Sequence, residues 1–225
     1  MPDHYPRFHE LPLFLMLDML RISDNIMLTW LGHASFKLKA GNRIIYIDPW
    51  KVKKDEADLI LITHSHFDHL SPDDVRRIQK KETVIVATKD TASKLKGDIE
   101  TVKPGDEIEV EDVRIEAVPA YNMGKNYHPR TNGWVGFVIT LGGSKIYHAG
   151  DTDAIPEMKM INADTALLPI GGTYTMTAEE AAKIANEFKP KSVVPMHWGT
   201  IVGSEDDAKR FKQLFNGETN ILKPE

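Results

Sequence analysis

The segment Leu59-Ile-Leu-Ile-Thr-His-Ser-His-Phe-Asp-His69 places three histidines and an aspartate directly behind a run of apolar residues. The apolar run is continuous rather than alternating, which indicates a strand covered on both faces. Imidazole nitrogens and carboxylate oxygens are preferred ligands of zinc and other first-row metals. Because a buried strand is a rigid support for the loop that leaves it, this segment predicts a metal site.

The spacing within the cluster favours two metals over one. His64 and His66 lie two residues apart, so on an extended backbone they point the same way and can bind one ion. Asp68 and His69 are adjacent, so on a similar backbone they diverge. Four ligands arranged in this way suit two neighbouring metals, and a binuclear site requires more ligands from elsewhere in the chain.

Three further candidates lie in loops beyond predicted strands: His128, Asp151 and His197. Such loops are where binding residues concentrate in layered folds. Alone, each residue is typical of a surface or turn position, and Asp in a Gly-Asp-Thr sequence is a common turn residue. The cluster at residues 64–69 makes a ligand role the better interpretation of all three.

Composition restricts the remaining chemistry. The chain has 225 residues, of which 41% are hydrophobic and 27% charged, as is ordinary for a soluble globular protein. Its net charge of -5 provides no general attraction to nucleic acid. The absence of cysteine excludes disulfides and thiolate ligands, so every metal ligand must be His, Asp or Glu. It also fits a reducing compartment, and we expect a cytoplasmic protein.

The N-terminal residues 1–24 are predicted to be an extension to a main domain at 25–225. Their apolar stretch Leu11–Leu17 is too short to span a bilayer, and Asp18 interrupts it. It also lacks the basic region and cleavage site of a secretory signal. Packing on the domain or on a partner subunit of a homo-oligomer is the favoured interpretation, and an interfacial anchor is the alternative.

The pattern of the main domain alternates runs of strands with helices, which predicts an α/β fold of two mixed β-sheets packed face to face. The predicted strands are 26–31, 35–39, 43–47, 59–63, 83–87, 107–110, 113–118, 134–141, 145–149, 165–168 and 192–195. Predicted helices begin after Ser71, at Lys89, at the capping box of Thr177 and at Asp206. Both halves proceed from hairpins to a strand–helix–strand unit, which indicates a two-fold pseudo-repeat.

The motifs Thr63-His-Ser-His-Phe-Asp-His69, His128, Gly150-Asp151-Thr152 and His197 resemble the five ligand motifs of the metallo-β-lactamase superfamily. The resemblance runs from about Ile26 to the end of the chain. Three segments are most similar to the branch of ascorbate-6-phosphate lactonase-like proteins and uncharacterised metal-dependent hydrolases: Trp30-Leu-Gly-His-Ala-Ser35, Tyr147-His-Ala-Gly-Asp-Thr152 and Met196-His-Trp-Gly-Thr200. The resemblance implies a four-layer αββα sandwich with metals at one edge of both sheets.

The resemblance also implies two divalent metal ions per chain, with zinc as the default and manganese, nickel or iron as alternatives. The first ion would be held by His64, His66 and His128. The second would be held by Asp68, His69 and His197, with Asp151 bridging both. Zinc β-lactamases place a cysteine in one site, and its absence here argues against antibiotic hydrolysis. His66 stands where flavo-diiron proteins have Glu, which argues against redox chemistry.

Three more residues are candidates for a role at the site. His33 and His148 could orient a ligand, contact the substrate, protonate a leaving group or cap a turn. Arg130 could bind a phosphate or carboxylate of the substrate in bidentate fashion, or face solvent. Asp68 is assigned a second, catalytic role in orienting the attacking hydroxide and moving its proton.

These residues predict a binuclear metal-dependent hydrolase that uses a metal-bridging hydroxide on a small anionic ester, lactone or phosphodiester. One alternative is an RNA-processing nuclease, which the acidic balance and the lack of a long basic arm disfavour. The other is a non-catalytic metal-binding or sensor protein. Seven candidate ligands disfavour it, because a purely structural metal site is closed with four. The expected partner is a small-molecule substrate, with no nucleic acid.

Overall fold

Two seven-stranded mixed sheets form the inner layers of the fold, which confirms the predicted α/β sandwich. The structure is a computed structural model and describes residues 19–225. The first sheet contains β1 (Met19–Ser23), β2 (Ile26–Gly32), β3 (Ser35–Ala40), β4 (Arg43–Ile47), β5 (Ala57–Ile62), β6 (Gln79–Thr88) and β7 (Asp98–Val102). The second contains β8 (Glu107–Val110), β9 (Val113–Pro119), β10 (Val135–Leu141), β11 (Ser144–His148), β12 (Thr165–Pro169), β13 (Ser192–Met196) and β14 (Glu218–Thr219).

Both sheets have the same connectivity. Spatial order follows chain order, from β1 to β7 in one sheet and from β8 to β14 in the other. In each sheet the first three pairings are antiparallel and the last three are parallel. This common pattern confirms the predicted pseudo-repeat, in which β5 corresponds to β12 and β6 to β13.

Strand β5 is buried on both faces, as its continuous apolar sequence predicts. Leu59 and Leu61 belong to the core between the two sheets. Ile60 and Ile62 belong to a second apolar cluster on the outer face of the first sheet. Side chains of a strand alternate between faces, so these four consecutive residues contribute to two apolar clusters. The loop that leaves β5 therefore starts from a fixed position.

Helices form the outer layers. They are α1 (Pro72–Ile78), α2 (Lys89–Ala92), α3 (Ala178–Phe188) and α4 (Glu205–Leu214). The backbone N–H of Asp74 donates to Ser71 Oγ at the start of α1, and α3 opens with the capping box of Thr177 and Glu180. Helices α3 and α4 pack side by side and bury Phe211 with the core of the second sheet.

Some predicted boundaries differ from the structure. The helix expected to begin at Lys89 has a single turn and ends at Ala92, and the strand expected over 83–87 extends over Gln79–Thr88. Strands β1, β7 and β14 are not predicted from the sequence. Strand β7 lacks a clear apolar alternation because it is an edge strand with three exposed residues, and backbone pairing with β6 defines it.

Residues 19–23, the last of the predicted extension, form β1 and pair with β2 at the edge of the first sheet. The apolar stretch Leu11–Leu17 lies outside the described residues, and its packing on the domain or on a partner stays a prediction. None of the helices within residues 19–225 has the length and apolar character that a membrane span requires.

Candidate metal centre

The candidate residues converge because they follow parallel strands. Thr63 and His64 follow β5, Asp48 follows β4, Asp151 lies three residues after β11, and His197 follows β13. The carboxyl ends of parallel strands meet at one edge of a sheet, and ligand sites of α/β folds lie beyond that edge. Two sheets packed face to face bring their two sets of loops together at this edge.

Three histidines form the first cluster. The nearest ring nitrogens of His64, His66 and His128 all lie within 4.8 Å of one another. His64 Nε2 lies 3.1 Å from His66 Nδ1, and the rings of His66 and His128 have centroids 4.9 Å apart. The indole of Trp134 packs within 4.7–5.6 Å of all three rings. These three residues lie close enough together to hold one ion, and their role as ligands stays a prediction.

The second cluster contains one residue more than expected. Ligand atoms of Asp68, His69 and His197 lie within 4.8 Å of one another, and His33 belongs to the same group. His33 Nε2 lies 2.9 Å from Asp68 Oδ2, and its ring centroid lies 3.8 Å from that of His197. The structure thus places His33, a candidate of undecided role, in direct contact with the candidate catalytic carboxylate.

Asp151 lies between the two clusters. Its Oδ1 atom is 3.2 Å from His69 Nε2, and its Oδ2 atom is 3.3 Å from His128 Nε2 and 3.0 Å from His197 Nε2. Its side chain is 3% exposed. Asp151 thus contacts histidines of both clusters, and its role as a bridging ligand stays a prediction.

The outer nitrogens of three histidines are held by hydrogen bonds. His69 Nδ1 donates to Asp48 at 2.7 Å, His64 Nδ1 to Thr63 Oγ1 at 2.9 Å, and His128 Nδ1 to the Asn122 side chain at 3.1 Å. Each ring then directs the lone pair of its Nε2 atom inward. Such outer partners fix the orientation of histidines that bind metals.

The inner atoms, in contrast, lack partners. The Nε2 atoms of His69, His128 and His197 and Oδ1 of Asp151 are buried and have no hydrogen-bond partner among the described residues. These three Nε2 atoms lie close to the carboxylate of Asp151, but the angles of the contacts are not those of hydrogen bonds. Buried polar atoms are almost always satisfied, and divalent cations bound at the two clusters would satisfy these four atoms. The residues therefore fit a metal on the chemistry of their own atoms.

Burial sets the protonation of the first cluster. Burial, with the neighbouring charge of His69, holds the pKa of His64 well below its usual value. Burial and His128 lower the pKa of His66 in the same way. Neutral imidazole is the form that binds metals. His64 and His66 are thus in the form that binds metals at neutral pH.

In the second cluster, charges and hydrogen bonds outweigh the effect of burial on the pKa values of His69 and Asp68. Burial alone would lower the pKa of His69, but Asp151 and Asp48 outweigh it and raise that pKa well above its usual value. Burial would raise the pKa of Asp68, but the hydrogen bond from His33 and the charge of His69 lower it to about 2. Asp68 is therefore an ionised carboxylate at neutral pH.

Comparison with known proteins agrees with this geometry. A family model described as "Beta-lactamase superfamily domain" matches residues 27–197. The chain belongs to the metallo-β-lactamase superfamily. It is 39% identical over 219 residues to a UPF0173 metal-dependent hydrolase of Thermococcus onnurineus, covering 88% of this chain and 97% of the relative. It is also 39% identical over 209 residues to one from Thermoplasma acidophilum, covering 85% and 91%.

Solved structures agree with the sequence relatives. The structure of Igni18, a metallo hydrolase from Ignicoccus hospitalis, matches with a TM-score of 0.72 at 26% identity, over 88% of this chain and 95% of that one. These comparisons confirm the predicted metal-dependent hydrolase of the metallo-β-lactamase superfamily. The narrower lactonase-like branch stays a prediction.

Sequence reasoning missed one residue at the base of this metallo-β-lactamase site. Asp48 is fully buried and accepts hydrogen bonds from the Thr63 backbone N–H at 2.8 Å, the Thr63 hydroxyl at 2.7 Å and His69. A signal was available, because Asp48 is a carboxylate directly after the predicted strand at 43–47. The same signal singled out Asp151.

The backbone is strained at three of the site residues. His33, Asp48 and His197 have positive φ angles of 52°, 47° and 61°. This region is uncommon for residues other than glycine, and such strain concentrates at functional sites. The N–H of His197 donates to the His33 carbonyl at 2.8 Å, and Trp30 Nε1 donates to the same carbonyl at 2.9 Å. These bonds fix the two loops that carry His33 and His197.

The other two candidates lie outside the histidine clusters. His148 is fully buried, its Nε2 donates to the Ala34 carbonyl at 2.9 Å, and its Nδ1 accepts from the Gly150 N–H at 3.2 Å. Both ring nitrogens thus bind backbone, which matches the turn-capping interpretation. Arg130 is exposed, pairs with Glu157 at 2.9 Å and lies over the Tyr121 ring, so the structure does not bring it to the clusters.

Proposed function

We propose that this chain is a binuclear metallo-hydrolase. Its metal ligands would be His64, His66 and His128 at one ion, Asp68, His69 and His197 at the other, and Asp151 between them. The observation that carries the proposal is the set of buried, unpartnered ring nitrogens and carboxylate oxygen that face one another across Asp151. Two divalent ions sharing a water would supply a nucleophilic hydroxide at neutral pH and polarise the attacked carbonyl or phosphoryl oxygen.

Asp68 is the catalytic carboxylate of this proposal. It is 9% exposed, the largest exposed fraction among the buried acidic residues of the two clusters, and His33 orients one of its oxygens. An ionised carboxylate at this position accepts a hydrogen bond from the attacking water and orients its oxygen. Hydrolysis then forms a bond from that oxygen to the acyl or phosphoryl centre and breaks the bond to the leaving group. The proton of the water moves to the leaving oxygen.

The substrate class that we propose is a small ester or lactone. The predicted anion-binding residue, Arg130, already pairs with Glu157, and Lys125 pairs with Asp153 at 2.7 Å. These pairings leave neither cation free for a phosphate, which favours acyl over phosphoryl substrates. Zinc is the proposed metal, because the donors are imidazole nitrogens and carboxylate oxygens.

Metal analysis combined with a hydrolysis panel tests the proposal. Purified protein loaded with zinc should hold close to two ions per chain and cleave esters or lactones faster than bis-p-nitrophenyl phosphate. The variant Asp68→Ala should lose turnover with its fold intact, and Arg130→Ala is the matched control. A folded protein that binds one ion or none under zinc excess would contradict the binuclear proposal. Retained turnover in Asp68→Ala would contradict the role of that carboxylate.

A further inference from the structure

The loops of the metal centre expose apolar side chains. Five large hydrophobic residues in the described part of the chain are exposed: Phe67, Met123, Tyr127, Met160 and Ile201. Phe67 lies between two candidate ligands, and Tyr127 directly precedes a third. Met123 belongs to the same loop as Tyr127, and Ile201 follows His197 by four residues. Phe67 also contacts Trp50, with ring centroids 6.1 Å apart, so an exposed apolar side chain lies beside the centre.

A cleft of about 220 Å³ lies beside the centre. Three of the four tryptophans of the chain, Trp30, Trp50 and Trp198, line it together with His33. Trp30 and Trp198 lie with ring centroids 4.9 Å apart. Thr200, Pro224 and Lys51 also line it, and the Lys51 ammonium lies 4.0 Å from the centre of the Trp50 ring. Three indole rings thus form part of its walls.

His33 connects this cleft to the candidate catalytic carboxylate. It lines the cleft, and its Nε2 atom lies 2.9 Å from Asp68 Oδ2. Trp50 connects the cleft to the exposed Phe67, because its ring lies 5.5 Å from that of His33 and 6.1 Å from that of Phe67. Aromatic contacts therefore run from the exposed Phe67 to the residue that contacts Asp68.

We propose that this cleft binds a single aromatic ring of the substrate, next to the bond that is hydrolysed. The proposal rests on the function proposed above and adds the substrate class, an ester or lactone that carries an aryl group. An apolar cavity of about 150 Å³ accommodates a benzene ring, so the cleft has room for one ring with a short linker. Aromatic side chains bind another ring through offset or edge-on contacts, and the indoles here provide both faces and edges.

Binding of phenylacetate and of acetate to the zinc-loaded full chain tests the cleft directly. Both probes carry the same carboxylate, so their difference reports the ring alone. We expect phenylacetate to bind about tenfold more tightly, since burying a ring against apolar walls contributes on that order. Titration calorimetry measures both constants. Equal affinities for the two probes would overturn the proposal.

Two variants test whether the phenyl ring of phenylacetate binds in this cleft. Thr200→Phe fills the cleft from an exposed position and should abolish the preference for phenylacetate without removing a core side chain. Trp50→Ala removes one wall and should reduce the preference. Met160→Ala is the matched control, because Met160 is exposed but lies on a different surface, in the 3-10 helix Pro156–Met160. A preference that survives in Thr200→Phe would overturn the proposal.

Hydrolysis rates separate this proposal from the function on which it rests. Cleavage of methyl phenylacetate and methyl acetate releases a carboxylic acid and methanol, and a pH-stat follows the acid. Tight binding of phenylacetate with no cleavage of either ester would refute ester hydrolysis and support the aromatic cleft. Cleavage of both esters with equal kcat/KM would support hydrolysis and refute the cleft.

Discussion

Asp48 Oδ2 lies 2.7 Å from His69 Nδ1, and both side chains are fully buried. The same oxygen accepts a hydrogen bond from the hydroxyl of Thr63, which in turn contacts His64 Nδ1 at 2.9 Å. One carboxylate therefore orients a histidine of each cluster, His69 directly and His64 through Thr63. Partners of this kind raise the basicity of the ligand and fix its ring.

Asp48→Asn should weaken metal binding by about 10–100-fold, which is typical for loss of an outer partner of a metal-bound histidine. Asp48 accepts three donors on two oxygens, and an amide with one oxygen leaves at least one of them unmatched. Competition with a chromophoric chelator measures the zinc affinity. Asp58→Asn is the control, since Asp58 accepts from the Ile44 N–H and from Lys80 away from the centre. Equal zinc affinity in both variants would contradict this role.

His33→Asn should lower kcat by about 10–100-fold while zinc content stays at two per chain. Asn tolerates the positive φ of 52° at this position but does not reach Asp68 as the imidazole does. Elemental analysis and steady-state kinetics on the same samples provide both values. Loss of one zinc per chain in this variant would instead make His33 a metal ligand.

Arg130→Ala should leave kcat and KM within about twofold and change the free energy of unfolding by less than about 0.5 kcal/mol. The guanidinium is exposed and bonds to Glu157, and surface ion pairs contribute little. Kinetics on the best ester substrate and urea unfolding check both parts. A tenfold rise in KM would show that Arg130 binds substrate after all.

Removal of the metals should destabilise the protein. Each site saturated at 100 times its Kd contributes about 2.7 kcal/mol, so two sites contribute roughly 5 kcal/mol. A protein of this size should then melt roughly 10–20 °C lower after chelation. Differential scanning calorimetry before and after treatment with EDTA measures the shift. His197→Ala should show a smaller shift, and equal melting temperatures of the loaded and chelated native protein would contradict the proposed site.

His148 should make the metal-free protein sensitive to acid. Burial lowers the pKa of His148 in the folded protein below the usual 6.5, although Asp48 opposes this effect. Below pH 6.5 the unfolded chain therefore binds a proton at this position that the folded chain does not. The free energy of unfolding decreases as the pH is lowered from 6.5 to the pKa of His148 in the folded protein. Urea unfolding in EDTA between pH 7.5 and 5.5 should show a shallower pH dependence for His148→Gln. An identical slope would contradict this assignment.

Local sequence patterns predicted the secondary structure correctly where a pattern is compatible with only one kind of element. The continuous apolar run of β5 matched a strand buried on both faces, and the caps at Ser71 and Thr177 matched helix starts. Edge strand β7 had no such signal, because its side chains are largely exposed and only pairing with β6 holds it in the sheet. Apolar periodicity does not predict a strand whose side chains are mostly exposed.

The candidate site divides in the same way. Residue chemistry and spacing singled out the cluster at residues 64–69, and loop positions after predicted strands singled out His128, Asp151 and His197. The resemblance then divided these residues between two ions. The choice between the roles open to His33 and Arg130 required tertiary distances. His33 lies 2.9 Å from Asp68, whereas Arg130 turns toward Glu157. Nothing in their local sequence distinguishes these two outcomes, since each depends on a residue at least 27 positions away.

The sequence by itself determined the α/β class, the strand platform of the histidine cluster and the exclusion of thiolate chemistry, because these follow from periodicity and residue type. Only the tertiary structure decided that Asp48 supports His69, that His33 joins Asp68, and that three tryptophans enclose a cleft beside them. These residues are distant in the chain, and they meet because two packed sheets direct their loops to a common edge.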